Sequence, residues 1–154
     1  MILNRLMLRC YLFVSLFRRG TTLGVRGAVF DAEGRVFLVR HSYLPGWYLP
    51  GGGVDHGETM GEAIARELLE EGGIRLAGPA TLFGIYLNRR VSRRDHVALY
   101  VCRDWSQPAP PKVPNIEIVE CGFYPPDALP QGTSEGTRRR LAEIAEGLLP
   151  AAEW

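Results

Sequence analysis

Arg66, Glu67, Glu70 and Glu71 form an Arg-Glu-x-x-Glu-Glu pattern within a run of good helix formers from Thr59 to Glu71. At about 100° per residue, the three carboxylates fall within roughly 100° of one another on one helix face, beside an apolar stripe of Ile64, Ala65, Leu68 and Leu69. Like charges three and four residues apart repel, costing some tenths of a kcal/mol per pair. These acids also lie near the helix C-terminus, where the macrodipole disfavours negative charge. A divalent cation offsets both penalties, because hard ions such as Mg²⁺ take clustered carboxylate oxygens together with water and phosphate. The competing reading is a solvated acidic face softened by Arg66, which is spaced to pair with Glu62 and Glu70. Upstream, Pro50-Gly51-Gly52-Gly53 and Gly57-Glu58 let the backbone approach a ligand and lead into a helix N-terminus, where anions are favoured. A glycine-rich loop alone reads equally well as a tight turn. Loop and stripe together point to metal and phosphate chemistry.

Gly52, Glu58, Arg66, Glu67, Leu68, Glu70, Glu71, Gly73 and Ile74 fall in the register glycine, five residues, Glu, seven residues, Arg-Glu, aliphatic, any, Glu-Glu, any, Gly, aliphatic. This stretch resembles the signature of the Nudix hydrolase family at every fixed position, and its LPGGGVDHGET context is similar as well. The resemblance implies an α/β fold, a Nudix-type α/β/α sandwich with a central mixed sheet. It also implies hydrolysis of the diphosphate linkage of a nucleoside diphosphate joined to another moiety. By the same carry-over, Glu67, Glu70 and Glu71 bind Mg²⁺, or Mn²⁺ in its place, with the Gly52 carbonyl as a further ligand. Arg66 and Glu58 orient the acidic stripe. The partner implied is a small nucleotide-like diphosphate.

The general base is not fixed by the signature: Glu67, Glu117 and Glu120 are the candidates, and Glu120 precedes the aromatic end of NIEIVECGFY. Each later acid has an outward-facing strand position as its alternative role. Arg26, Tyr86 and Arg90 are the candidate substrate contacts. Arg90 belongs to the basic turn NRRVSRRD, which also reads as a solvated hairpin tip. Tyr86, like Trp47, Tyr48 and Phe123, can stack on a base or pack in the core. His41 and His96 lack ligand-like spacing, so structural or surface roles are expected for both.

Leu23 to Asp31 and Arg35 to Arg40, joined by Ala-Glu-Gly, read as a hairpin. Leu44 to Leu49 runs into the glycine loop. Gly72-Gly73 stops the helix, Ala80 to Leu87 and His96 to Arg103 read as a second strand pair, Ile116 to Tyr124 as another strand, and Ser134 to Leu149 as a terminal amphipathic helix.

At 154 residues, with 46% hydrophobic and 23% charged residues, the chain has the composition of a soluble globular protein. Its net charge of +1 gives no support for nucleic acid as the main partner. The expected organisation is a basic apolar N-terminal segment, residues 1–22, and a hydrolase domain, residues 23–154. Residues 1–22 hold Arg5, Arg9, Arg18 and Arg19 and no acid, so setting those four aside leaves the rest at a formal −3. This segment lacks a cleavage site and is too short to span a bilayer. It is expected to pack on the domain or to form a homodimer interface; an interfacial membrane helix is the weaker reading, because its polar face is not cleanly separated. Three dispersed cysteines fit neither a disulfide framework nor a zinc site and suit a reducing cytoplasm. Two alternative functions remain open: a non-catalytic nucleotide sensor, and an RNA-end-processing pyrophosphohydrolase.

Overall fold

The computed structural model of the chain describes the backbone of residues 2–154 and the side chains of residues 7 and 9–154. The elements run α1 (Ile2–Arg19), β1 (Thr22–Val29), β2 (Val36–His41), α2 (Met60–Gly72), β3 (Arg75–Leu76), β4 (Thr81–Leu87), β5 (Asp95–Cys102), β6 (Trp105–Ser106), β7 (Ile118–Tyr124) and α3 (Glu135–Glu146). The central sheet is mixed, with β1 parallel to β5 and β4 antiparallel to β5. Strand β2 pairs antiparallel with β7. Side chains alternate across β1, so Val25 and Val29 join Ala63, Ile64 and Leu68 beneath α2, while Ala28 joins Leu38, Leu99, Tyr86 and Leu141 beneath α3. Each sheet face is thereby covered by one helix. The result is the expected α/β/α sandwich.

The hairpin expected between residues 23 and 40 does not form as such. Its turn is tight, with the Asp31 N–H donated to the Arg35 carbonyl, but pairing ends after one bridge, Phe30 with Val36. Both edges of β1 are already taken. One faces β5; the other receives the glycine-loop segment, with Val25 N–H donated to the Gly52 carbonyl (2.8 Å), Gly27 N–H to the Pro50 carbonyl (2.9 Å) and Val54 N–H to the Leu23 carbonyl (2.9 Å). β2 therefore turns away to β7.

Helix α2 starts where its capping chemistry directs. Thr59 accepts the Glu62 N–H and Glu62 caps the Thr59 N–H in return, while left-handed Gly73 closes the other end. Of the two placements expected for α1, on the domain or on a second copy of the chain, the described side chains do not show the first. Met7, Tyr11, Leu12, Phe13, Val14, Leu16 and Phe17 are between 51% and 70% exposed, so these side chains do not pack on the domain. Among the described residues, no helix is long and apolar enough to cross a membrane.

Candidate active site

Helix α2 turns its acidic stripe edge-on to the glycine loop. Glu67 and Glu71 are buried and Glu70 is exposed, because α2 rolls Ala63, Ile64 and Leu68 into the core and carries the adjacent pair of acids with them. Gly52 lies directly against the first of them: a Cβ there would collide with the Glu67 carboxylate. Gly51, at φ 141°, occupies a conformation in which a Cβ would strike the Val25 carbonyl, so only glycine suits this crossing of loop over strand.

Arg66 ties the stripe together. Its Nε and Nη2 donate to the two oxygens of Glu58 at 2.9 and 3.0 Å, and Nη2 also donates to the Gly53 carbonyl at 3.0 Å. Nη1 donates to Glu67 at 2.7 Å and to Glu70 at 3.4 Å. One guanidinium therefore spans loop, helix N-terminal approach and two stripe acids, a use of five fixed donors that a lysine cannot reproduce. The Arg66 hydrogen bonds, aided by the Asp55 N–H, pull the Glu58 carboxyl down to about 2. Glu58 is a permanent anion holding Arg66 in place. Arg66 and Glu58 thus bridge the loop and the stripe.

Glu71 differs from its neighbours. It accepts the Gly51 N–H at 2.8 Å, yet burial pushes its carboxyl up to about 8. Burial also raises Glu67, against the opposing pull of Arg66. Beside Glu71 stand His41, whose Nε2 is 3.7 Å from a Glu71 oxygen, and Glu117; ligand atoms of all three lie within 4.8 Å of one another. Burial, then the nearby Arg26, lowers the His41 pKa, which favours the uncharged ring, and its Nδ1 has no hydrogen-bond partner among the described residues. Nothing local in the sequence links His41, for which a structural or surface role is expected, to Glu71 or Glu117. The link is topological: the β2–β7 ladder sets His41 opposite Ile118, one residue from Glu117.

The same ladder separates Glu120 from this cluster. Glu120 pairs with Arg40 across the strands, at 2.9 Å on the exposed side, and a bulge between Arg40 and His41 leaves Glu117 as the acid beside Glu71. Of the three candidate substrate contacts, two line one cleft of about 530 Å³, Arg26 and Arg90, together with Thr22, Gly52, Gly53 and Trp154. Arg26 reaches back to donate to the Leu49 and Gly51 carbonyls, and Arg90 is ion-paired to Glu135 of α3. The contact expected at Tyr86 is not met. Tyr86 is fully buried, donates its hydroxyl to Glu143 at 2.9 Å and lies under the Arg140 guanidinium. Its polar end is occupied by the core.

Comparison with known proteins bears on the same stretch. The sequence pattern of the NUDIX domain family matches residues 20–144. A Bacillus subtilis (strain 168) protein bearing the name of an 8-oxo-dGTP diphosphatase is 37% identical over 76 residues, 49% of this chain and 50% of that one. An RNA pyrophosphohydrolase of Gluconobacter oxydans (strain 621H) is 44% identical over 52 residues, 32% of this chain and 31% of the relative. These matches thus span a third to a half of the relatives' lengths. The crystal structure of a MutT NUDIX hydrolase from Burkholderia pseudomallei superposes with a TM-score of 0.69 at 29% identity, covering 80% of this chain and 98% of that one.

Proposed function

The chain belongs to the NUDIX domain family, and on that footing we propose that it is a Mg²⁺-dependent hydrolase, accepting Mn²⁺, of the diphosphate linkage in a nucleoside diphosphate joined to another moiety. The observation that carries this reading is the Arg66 hub, which holds Glu58 and Glu67 in fixed geometry beside Gly52 and Gly53 at the wall of a cleft of about 530 Å³. That volume suits a nucleotide-sized ligand.

The donor set fits a divalent ion. Among the described residues, Glu71 is a buried carboxyl with one backbone hydrogen bond and no cationic side chain bonded to it, and Glu67 is buried beside it. Carboxylates of Glu67, Glu70 and Glu71 are the hard oxygen donors that Mg²⁺ takes, with the Gly52 carbonyl, already accepting the Val25 N–H, offering its second lone pair. When bound, such an ion would neutralise diphosphate oxygens and lower the pKa of a water, easing loss of its proton as its oxygen attacks phosphorus. The protein's own residues supply the rest. Arg66 and Glu58 hold the stripe in register. Arg26 and Arg90 provide positive charge at the cleft wall for phosphate oxygens. A carboxylate takes the proton of the attacking water; Glu67 and Glu117 suit that task, and the Arg40 ion pair counts against Glu120.

The test is a panel of nucleoside diphosphate derivatives, oxidised nucleoside triphosphates and RNA with a 5′-triphosphate, with and without Mg²⁺ or Mn²⁺ and with products identified. At least one substrate is expected to turn over only with metal. Glu71→Gln is expected to lower that rate by about 100-fold or more, equivalent to several kcal/mol of lost stabilisation. Binding of a nucleotide without turnover under every condition would instead make the protein a sensor.

A further inference from the structure

Helix α1 has no role in the site described above. Its 18 residues reach roughly 27 Å, and its described apolar side chains stand away from the domain. Leu12, Phe13 and Leu16 floor an open groove between Arg9 and Arg19, with Tyr11 and Phe17 also exposed. Contiguous exposed apolar surface of this kind marks a docking face.

Charge selects the occupant. Residues 1–22 contain four arginines and no acid, while the remainder of the chain is formally −3. A second copy of α1 would bring arginine against arginine in either orientation, with no acid in the helix to offset them. An anionic lipid surface answers both features at once: headgroup phosphates meet the guanidinium groups, and the acyl boundary takes Leu12, Phe13, Leu16 and Phe17. Arginines within the apolar face are compatible with this placement, because their long stems lie along the acyl boundary while the charged ends reach the headgroups. No helix among the described residues is long and apolar enough to span, so on a bilayer α1 would lie in the plane of the interface.

We propose that α1 docks the protein on anionic phospholipid bilayers, with its apolar groove in the acyl boundary and Arg9, Arg18 and Arg19 on headgroup phosphates. This inference does not depend on the hydrolase reading.

The experiment is co-sedimentation of the full chain with vesicles of equimolar phosphatidylglycerol and phosphatidylcholine, against vesicles of phosphatidylcholine alone. The protein is expected to pellet with the anionic vesicles only and to be released as salt is raised. Each arginine replaced by alanine should weaken partitioning about fivefold, so Arg9→Ala, Arg18→Ala and Arg19→Ala together give roughly 100-fold. Phe13→Ser with Phe17→Ser should also release the protein, with an unchanged melting temperature reporting an intact domain. Equal partitioning into both vesicle types, or none into either, overturns the proposal. Two further outcomes would overturn it as well: a lipid-free dimer by light scattering that the Phe13→Ser and Phe17→Ser pair dissociates, or binding to soluble poly-glutamate while anionic vesicles are ignored.

Discussion

Single residues divide the candidate site into groups held by the Arg66 guanidinium and groups apart from it. Glu58 and Glu67 accept from Arg66, whereas Glu71, His41 and Glu117 cluster beyond its reach. Replacing Glu117 by Gln should lower kcat by about 100-fold or more if it accepts the proton of water. Glu120→Gln, which breaks only an exposed ion pair with Arg40, should change the rate little. Steady-state rates of the two variants decide between them; the reverse order would return Glu120 to the site. Glu71 also sets a pH dependence in metal-free protein. Its folded value of about 8 exceeds the usual 4.5, so its stabilising contribution is complete below about 4.5 and is lost as pH rises through about 8. The melting temperature of metal-free protein should therefore fall between about pH 5 and pH 8.5, with Glu71→Gln flattening that slope. An equal slope in both proteins would assign the effect elsewhere. Glu67, Glu70 and Glu71 were legible as a stripe because helical spacing sets them on one face. His41 was not, since its neighbours come from α2 and from the approach to β7.

Secondary-structure elements hold these groups by close approach more than by number of contacts. The glycine loop forms three backbone hydrogen bonds along β1 and presses Gly52 onto Glu67. Gly52→Ala should force those groups apart at about 1–3 kcal/mol, a fall of roughly 2–4 °C in melting temperature for each kcal/mol. Gly53→Ala, where an added Cβ meets nothing within 4 Å, should leave the melting temperature unchanged. Thermal melts of both variants check the contrast; equal losses would mean that loop freedom rather than contact matters. The caps of α2, Thr59 and Gly73, and the start of α3 at Ser134 were within reach of sequence reasoning because capping is local, whereas α3 ends at Glu146 under left-handed Gly147, short of the expected Leu149. The partner of β1 was not. Alternating apolar residues at 23–31 and 35–40 satisfy a hairpin equally well, and the choice of β5 and the glycine loop depends on chain that is distant in sequence.

Across the whole molecule, the sheet separates a core beneath α2 that sets the acids from a core beneath α3 that closes the cleft. The second core is fastened by Arg140 and Glu143 at 2.7 Å, with Tyr86 donating to the same carboxylate and Arg140 over the Tyr86 ring. Glu143→Ala would strand a buried guanidinium and should cost about 3–5 kcal/mol, measurable by chemical denaturation. A loss below about 1 kcal/mol would show that Arg140 finds another partner, such as water. The mixed sheet has a further consequence for synthesis. Thr22 and Trp154 line the same cleft, and β1 meets its partner at Asp95, 73 residues later. At about 5–20 residues per second, a ribosome leaves that strand edge unpaired for roughly 4–15 s, a window in which it is open to chaperones or to a neighbouring nascent chain. A fragment ending before Asp95 would carry β1 with that edge bare.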